Sequence, residues 1–412
     1  MSRKVTRNLT LSIALFVCLT ASSSWAASYR VLLPFNGANG LEPTAGLLFD
    51  AAGNAYGTTQ GGGPNEKGEI YELSPTTGFH IIYAFHGKDG YGPKGSLTID
   101  AQGNLYGTTY AGGGYKNCYG DCGTVFKLSP PIGNGHWTET VLYSFTGGDD
   151  GQYPFGSVIF DQAGNLYGTT QLGGTSGQGV VFQLTPSPAG WTETVLYSFT
   201  GGDDGGQPLC SLVSDSAGNL YGTTSRGAQG GTAGTVFELV SLGSGFWTFS
   251  VIHEFDLNSE DGSSPNAGLI FDDQGNLYGT TAAGGTNRCG GSGGCGTVFE
   301  LTQNVGVWQE TVLHNFDGQD GYGPCAGLVL NADGNLYGTT KFGGQGSGNI
   351  FELRRPSPGH QWTERSFSFP GDLHLGGYPE APVSFDAAGR IYGTAFSGGS
   401  NGDYGVIFRI TP

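Results

Sequence analysis

The side chains best suited to hold a polar ligand are aspartates and tyrosines that recur in short glycine-rich segments. Examples are Gly87-Lys-Asp-Gly-Tyr-Gly-Pro93, Gly147-Gly-Asp-Asp-Gly-Gln-Tyr-Pro154 and Gly318-Gln-Asp-Gly-Tyr-Gly-Pro324. Carboxylate oxygens suit a divalent cation such as calcium, and together with phenol rings they suit a sugar-like ligand. The candidate ligand-binding residues are Asp89, Tyr91, Asp149, Asp150, Tyr153, Asp203, Asp204, Asp261, Asp320 and Tyr322. The competing interpretation is plain turn chemistry, since Asp-Gly pairs are favoured in tight turns.

Catalytic machinery is not evident in the sequence. The seven histidines are scattered, and His253 and His314 stand where other copies of the same segment have Tyr. The sequence contains no nucleophile elbow in a strand-turn-helix setting, no His-Glu-x-x-His motif and no Walker loop. The aspartate spacing also differs from that of an EF-hand calcium loop. We therefore favour binding over catalysis, assign no catalytic residue, and leave open whether a metal binds.

The elements that must position these residues are β-strands. Of the 412 residues, 78 are Gly, 17 are basic and 34 are acidic. An interior Gly costs a helix about 1 kcal/mol relative to Ala, which excludes a mostly helical protein. The chain has only 19 Pro and no Gly at every third position, which excludes collagen. The 20 Tyr, 25 Phe and 6 Trp can cover a large core, which argues against disorder.

A sevenfold repeat organises the chain. The signature Gly-Asn-Leu-Tyr-Gly-Thr-Thr or a close variant begins at Gly53, Gly103, Gly164, Gly218, Gly275, Gly334 and Gly389. Each unit contains four strand-like runs, which in the fifth unit are 267–272, 277–281, 296–301 and 308–316. Repeats of this length with four short strands are typical of propeller blades. The sequence therefore predicts an all-β, seven-bladed β-propeller with four antiparallel strands per blade.

The two ends of the chain indicate how the ring closes. Residues 29–35 align with the fourth run of a unit, whereas residues 405–410 align with a third run and no fourth run follows. We therefore expect the N-terminal strand to complete the last blade, in a single domain spanning 27–412. In such a ring, the loops that carry the candidate aspartates share a face with the glycine-rich loops after Tyr-Gly-Thr-Thr and surround the central opening.

Three residue types repeat with the signature, and each has a structural interpretation. The signature Tyr is expected in the core between blades. The Trp residues after the N-terminal segment all begin a fourth run, where we expect them to act as packing wedges. The residue that closes the first run should cap the next turn through its side chain. These expected caps are Asp50, Asp100, Asp161, Asp215, Asp272, Asn331 and Asp386.

The N-terminus reads as an export signal. Residues 1–26 combine the basic Arg3, Lys4 and Arg7 with an apolar stretch, 9–21, and small residues before a cleavage site at Ala27. An uncleaved anchor is the alternative, and we expect no membrane span after cleavage. Removal of the signal changes the net charge from −17 to −20, with 34 acidic against 14 basic residues. Such a charge disfavours nucleic acid and anionic membranes.

Six cysteines remain after signal removal. Cys118 and Cys122 form one close pair, and Cys289 and Cys295 form another, each just before a Gly-Thr-Val-Phe strand. In an oxidising compartment we expect two local disulfides, although metal ligation is the alternative. Cys210 and Cys325 look like matching repeat positions, and the sequence leaves open whether they pair or remain small buried thiols.

The complete unit resembles that of the GloVer-type tandem repeat proteins. The resemblance rests on Gly-Asn-Leu-Tyr-Gly-Thr-Thr, a Gly-Gly loop and Gly-Thr-Val-Phe-Glu-Leu, and it covers nearly all of 28–412. These are exported bacterial proteins, called "choice-of-anchor" because their C-terminal anchoring tails differ. The resemblance implies a surface or extracellular location and no established activity. Because Thr411-Pro412 carries no such tail, we expect a freely secreted or periplasmic protein.

Two functional hypotheses follow from the sequence. The first is a secreted or periplasmic, monomeric, non-enzymatic binding or scaffold propeller that holds a glycan, a cation or a protein partner at its acidic loop face. The second is an extracytoplasmic hydrolase or lyase that acts on a polysaccharide or a small lactone, with or without a divalent metal. A purely structural envelope component is a third possibility.

Overall fold

The computed structural model describes residues 28–411, apart from 115–116, 119–120, 134, 229–230, 232, 244, 257–259, 290–292, 358–359, 371–372 and 401. The predicted export signal, 1–26, lies outside the described residues. The described chain forms 28 strands in seven four-stranded antiparallel sheets, which confirms the predicted seven-bladed propeller. A single turn of 3-10 helix, Leu373–Leu375, interrupts the strands.

Blades are numbered 1 to 7 along the chain. Blade 1 contains β2 (Leu48–Phe49), β3 (Ala55–Thr59), β4 (Glu69–Ser74) and β5 (Gly78–Ala84). Blade 2 contains β6 (Thr98–Ile99), β7 (Leu105–Thr109), β8 (Thr124–Ser129) and β9 (Thr138–Ser144). Blade 3 contains β10 (Ile159–Phe160), β11 (Leu166–Thr170), β12 (Val180–Ser187) and β13 (Gly190–Ser198). Blade 4 contains β14 (Val213–Ser214), β15 (Leu220–Thr224), β16 (Thr235–Gly243) and β17 (Phe246–Glu254).

The remaining blades follow the same order. Blade 5 contains β18 (Ile270–Phe271), β19 (Leu277–Thr281), β20 (Thr297–Asn304) and β21 (Val307–Asn315). Blade 6 contains β22 (Val329–Leu330), β23 (Leu336–Thr340), β24 (Asn349–Arg354) and β25 (Thr363–Ser368). Blade 7 contains β26 (Ser384–Phe385), β27 (Ile391–Ala395), β28 (Val406–Thr411) and the N-terminal β1 (Ser28–Pro34).

The ring closes between the two ends of the chain. β1 pairs antiparallel with β28, with Ser28 opposite Thr411 and Pro34 opposite Val406. The closure continues past the strands, because Glu42 N donates to Tyr404 O at 3.0 Å. The predicted completion of the last blade by the N-terminal strand is therefore confirmed, and it leaves no blade with an unpaired third strand.

Each blade begins with a capped turn. Asp100 Oδ1 accepts hydrogen bonds from the backbone N–H groups of Gln102 and Asn104, both at 2.9 Å, and Oδ2 accepts one from Tyr106 OH at 3.0 Å. Burial acts to raise the pKa of Asp100, but these hydrogen bonds outweigh burial and hold the pKa below its usual value. In blade 6 Asn331 Oδ1 accepts the same two backbone bonds. The predicted capping role is confirmed.

The core lies between blades. Tyr106 of blade 2 is 5% exposed and packs in a cluster with Leu166 and Phe182 of blade 3. The Trp that begins a fourth strand reaches the signature Tyr of the preceding blade, as in the edge-to-face contact of Trp137 with Tyr56 at 6.0 Å. Both the Tyr and the Trp therefore act as predicted, in packing between blades rather than in a ligand cage.

The propeller has two unlike faces. The loop face carries the loops between second and third strands and the loops that join one blade to the next. Isolated bridges such as Tyr91–Ala111 and Tyr322–Phe342 tie the two kinds of loop together. The hairpin face carries the turns between first and second strands and between third and fourth strands. The first strands line the central cavity, so the fourth strands lie at the periphery.

Candidate functional site

Two loops of the loop face are braced by disulfides. Cys118 is bonded to Cys122 in blade 2 and Cys289 to Cys295 in blade 5, which confirms both predicted pairs. Each disulfide lies between the second and third strands of its blade. Disulfides persist mainly in oxidising compartments, so they favour a location outside the cytoplasm.

The other two cysteines do not pair with each other. Cys210 and Cys325 are both free thiols. Contrary to the expectation from sequence, their repeat positions differ, because Cys210 is the second residue after its Pro and Cys325 is the first. Successive residues of an extended segment point to opposite sides, so the two thiols have different surroundings. Burial raises the pKa of the Cys325 thiol to about 12.

Five of the candidate aspartates fasten the inter-blade loops to the fourth strands. Asp150 is typical: its Oδ2 accepts hydrogen bonds from Tyr143 OH at 2.9 Å and Thr146 N at 2.8 Å, and its Oδ1 accepts one from Thr146 Oγ1 at 2.7 Å. The partner on the fourth strand is Tyr or His in every case. The five pairs are Asp89 with Tyr83, Asp150 with Tyr143, Asp204 with Tyr197, Asp261 with His253 and Asp320 with His314.

These aspartates lie apart from one another. Each is beside the peripheral strand of a different blade, so the structure does not bring them together around the central opening. Asp149 and Asp203 precede two of them in the chain and are exposed at the loop tips. Ligand binding by any of the seven stays a prediction.

A second layer of carboxyl groups faces the aspartates across the gap between blades. It consists of fourth-strand residues whose Oε1 atoms are buried and have no hydrogen-bond partner among the described residues. Burial, with a neighbouring aspartate, raises the pKa of each of these carboxyls to about 7. The four residues are Glu139, Glu193, Glu310 and Glu364.

One backbone conformation recurs seven times around the loop face. The residue before each inter-blade Pro has a φ between +53° and +65°. In blade 3, for example, Tyr153 N donates to Cys122 O of blade 2 at 2.9 Å, while Tyr153 O accepts from Gln171 N at 3.0 Å. The seven residues are Glu42, Gly92, Tyr153, Gln207, Ser264, Gly323 and Tyr378. The backbone is thus constant while the side chains vary, and the non-glycine residues adopt a strained left-handed conformation.

The three candidate tyrosines have different environments. Tyr153 is buried and stacks on Tyr110, with ring centres 4.7 Å apart. Tyr322 stacks on Phe342 at 5.1 Å. Tyr91 is 38% exposed, and Lys67 Nζ lies 4.7 Å from its ring centre. Of the three, only Tyr91 presents a large part of its ring to solvent.

A pocket of about 420 Å³ lies on the loop face at the junction of blades 7 and 1, where the ring closes. Two of its carboxylates, Glu42 and Glu66, belong to residues with a φ of +56°. Glu42 shares this conformation with the residue before every inter-blade Pro, and Glu66 shares its positive φ with Asp121 of blade 2. The polar and aromatic lining residues are Glu42, Gln60, Glu66, Tyr91 and Tyr404.

The central cavity has a volume of about 390 Å³, and its lining is more neutral than that of the pocket between blades 7 and 1. At its loop-face end Lys94 Nζ lies 4.4 Å from the Tyr110 ring centre and 4.8 Å from that of Phe155. Burial lowers the pKa of Lys94, against the opposing effect of Glu380 and Glu42. Glu380 also pairs with Lys341 Nζ at 2.6 Å. The charges at this mouth therefore largely satisfy one another.

The described residues show neither a cluster of metal ligands nor a membrane-spanning helix. No group of three or more His, Cys, Asp or Glu side chains in the described part of the chain is arranged to hold a metal ion. Among the same residues, no helix has the length and apolarity that a membrane crossing requires.

The repeat units identify the family. The sequence model described as the Gloeobacter/Verrucomicrobia repeat matches residues 19–192, 117–290 and 285–412, which together cover almost the whole chain. The chain belongs to this repeat family. The predicted resemblance to the GloVer-type tandem repeat proteins is thereby confirmed. No curated protein matches the Gloeobacter/Verrucomicrobia repeat chain in sequence.

Several solved structures share the fold of this Gloeobacter/Verrucomicrobia repeat protein. An ulvan lyase of a new polysaccharide lyase family has a TM-score of 0.53 and 12% identity over 92% of this chain and 95% of its own. A candidate 6-phosphogluconolactonase from Bacteroides uniformis has a TM-score of 0.52 and 14% identity, over 80% of this chain and 84% of its own. PorZ is a surface component of the type-IX secretion system of Porphyromonas gingivalis. Its structure has a TM-score of 0.53 and 13% identity, over 92% of this chain and 47% of its own. At such identities the likeness shows the propeller fold alone.

Four pocket residues of this repeat protein were missed by the sequence reasoning. Glu42 could have been found, because Glu42-Pro43 aligns with Tyr153-Pro154, which was a candidate segment. Glu66 stands two residues before Gly68, as Asp121 does before Gly123, and both have a positive φ. Gln60 and Tyr404 come from blades 1 and 7, so only closure of the ring places them in one pocket.

Proposed function

We propose that this propeller is an extracytoplasmic binding protein that holds a neutral glycan on its loop face, with the pocket between blades 7 and 1 as the principal subsite. The extracytoplasmic part of the proposal is supported by the two disulfides and by the predicted export signal. The binding part is supported by the make-up of the pocket.

The composition of the pocket carries the proposal. Glu42 and Glu66 supply carboxylate acceptors, and Gln60 supplies an amide that both donates and accepts. The rings of Tyr91 and Tyr404 supply apolar faces with a polar edge. Sugar hydroxyls donate to carboxylates, while the C–H faces of a sugar ring pack on aromatic rings. Few polar groups in fixed positions beside aromatic surface are typical of small-ligand sites.

The net charge of the protein narrows the class of glycan. The chain has a formal charge of −17, and the loop face carries many of the carboxylates. An acidic polysaccharide approaching this face would be repelled. A neutral glycan would escape that repulsion, and it would still gain the hydrogen bonds to Glu42 and Glu66.

Isothermal titration calorimetry with neutral hexasaccharides tests the proposal. The probes are linear oligomers of β-1,4-glucose, β-1,3-glucose, β-1,4-mannose and β-1,4-N-acetylglucosamine, each with and without EDTA. Binding of at least one of them should weaken about tenfold or more in Tyr91→Ala and in Glu66→Gln. Tyr322→Ala is the matched control, since Tyr322 holds the same repeat position outside the pocket. Failure of all four probes to bind, or an equal loss in Tyr322→Ala, would contradict the proposal.

The same titrations separate binding from catalysis. A pure binding protein leaves the hexasaccharide intact, and its heats end when the site is saturated. Two of the structures similar to this one are named for a lyase and a lactonase, so product analysis after titration is included. Shortened oligosaccharides would replace the binding proposal with the second hypothesis, an extracytoplasmic hydrolase or lyase.

A further inference from the structure

Exposed apolar side chains are concentrated on the hairpin face. Seven large apolar side chains are exposed among the described residues, and five of them lie at turns between third and fourth strands. Val305 is 99% exposed and Phe246 is 70% exposed. Isolated exposed apolar residues are normal on protein surfaces, but such clustering is not. The five are Ile132, Leu242, Phe246, Val305 and Val307.

Four of these side chains project from neighbouring hairpins. β16 and β17 of blade 4 have 9 residues each, and β20 and β21 of blade 5 have 8 and 9. The corresponding strands of blades 1, 2 and 6 have 6 or 7 residues. Those of blade 3 have 8 and 9, but the tip of that hairpin, 187–190, has no large apolar residue. Two or three additional residues extend a strand by roughly 7–10 Å. The hairpins of blades 4 and 5 therefore carry Leu242, Phe246, Val305 and Val307 beyond the edge of the ring.

The turn between β20 and β21 of blade 5 has a strained backbone, although a turn of this type can form without strain from other residues. Val305 has a φ of +50° and is followed by Gly306 with a φ of +80°. Two-residue hairpin turns with this backbone favour Asn-Gly, and a β-branched residue with a positive φ is an outlier. A fully exposed Val at this position gains nothing from packing within the chain. Strain without internal compensation indicates a function outside the chain.

The charge distribution indicates what kind of surface the hairpins meet. The third-to-fourth-strand segments 74–79, 129–137, 186–191, 240–247, 303–308 and 354–362 contain no Asp or Glu, although the chain has 34 acidic residues. Their charged residues are Arg354 and Arg355. The hairpin tips are thus apolar or weakly basic in a strongly acidic protein. The capping aspartates of the first turns lie on the same face. However, Ser241 N donates to Asn219 Oδ1 of the first turn of blade 4, so the tip residues that follow Ser241 project beyond that turn. The tips therefore meet a lipid headgroup layer ahead of those carboxylates, which weakens the repulsion.

We propose that the hairpin face docks on the surface of a phospholipid bilayer, with Leu242, Phe246, Val305 and Val307 inserted among the headgroups. The tips project in the same direction from one rim of a ring, which suits a flat surface better than a curved protein partner. β1 also begins at this rim, so the predicted export segment leads into the propeller from the same side.

Docking in this orientation has a consequence for the loop face. The loop face and its carboxylates would point away from the bilayer, which leaves the pocket between blades 7 and 1 open to solvent. Insertion depends on apolar contact rather than on charge attraction, so a zwitterionic bilayer is the expected surface. Anionic lipid should weaken binding, because the net charge of the mature chain is −20, with 34 acidic against 14 basic residues.

Flotation of the mature chain with phosphatidylcholine vesicles tests the proposal. The combined variant Leu242→Ser, Phe246→Ser, Val305→Asn and Val307→Ser should lower the vesicle-bound fraction about tenfold or more. The control combines Tyr91→Ser with Leu375→Ser, the two exposed large apolar residues that lie in loops of the loop face, and should stay within about twofold of wild type. Thermal unfolding of both variants verifies that they are folded.

Three outcomes would overturn the proposal. The first is a wild-type protein that fails to float with phosphatidylcholine vesicles. The second is binding that requires phosphatidylglycerol, since that would indicate charge attraction. The third is a concentration-dependent dimer of the wild-type protein, measured by light scattering, that is lost in the hairpin variant, while neither the wild type nor the variant binds vesicles. That result would assign the tips to contact between protein copies.

Discussion

The carboxyl groups between blades should make the protein more stable in mild acid than at neutral pH. Glu139, Glu193, Glu310 and Glu364 ordinarily titrate near 4.5, and burial beside an aspartate raises the pKa of each to about 7 in the folded state. Between these two values the folded protein binds more protons than the unfolded chain. The stabilisation is therefore fully present below about pH 4.5 and is lost as the pH rises through about 7.

The size of the effect follows from the pKa values. A change of pKa from 4.5 to about 7 corresponds to about 3 kcal/mol per group if no solvent screens the charge. These side chains are half-buried, so water reduces the penalty, and about 1 kcal/mol per group is the appropriate scale. Four groups then give a decrease of roughly 4 kcal/mol in the free energy of unfolding between mild acid and neutral pH.

Urea unfolding followed by Trp fluorescence measures this decrease. Wild type should lose roughly 4 kcal/mol of unfolding free energy from about pH 5 to about pH 8. The variant with all four glutamates changed to Gln should lose much less, because an amide has no proton to release. Glu260→Gln is the control, since Glu260 is exposed and should leave the pH dependence unchanged. Equal pH dependence in wild type and the fourfold variant, or wild-type stability that rises over this interval, would refute the reasoning.

Two further predictions concern the loop face. Asp150→Ala should lower the free energy of unfolding by about 2 kcal/mol, because three hydrogen-bond donors lose their acceptor. Asp149→Ala should leave the free energy of unfolding nearly unchanged. Similar urea midpoints for the two variants would contradict the role assigned to Asp150. Ser264→Gly should raise the free energy of unfolding by about 0.5–1 kcal/mol, because Gly tolerates the φ of +55° at this position. Ser264→Ala should show no such increase when both variants are compared by thermal unfolding.

The fold was predictable because every blade repeats the same local signals. Asp or Asn caps the first turn, Tyr and Trp pack between blades, and each signal acts within one unit or between adjacent units. The positions of the chain ends within the unit also fixed the closure of β1 on β28. Such short-range rules can be read from a sequence without knowledge of distances.

The candidate site was less predictable because it depends on radial position and on closure. Each inter-blade loop runs from a peripheral fourth strand to a central first strand, so neighbouring residues of one loop end at different radii. Asp150 therefore lies at the periphery, while Phe155 lines the central cavity. Tyr404 joins Glu42 and Glu66 only across the closed ring.

The pairing of β1 with β28 sets an order on folding. β1 is made first and β28 last, so the earliest strand must wait without its partner until almost the whole chain has emerged. Blades 1 to 6 can each form from contiguous sequence in the meantime, but the circle becomes complete only with the final residues. A chain cut short by even one strand would therefore expose two unsatisfied sheet edges at once, and quality control could distinguish it from the finished protein.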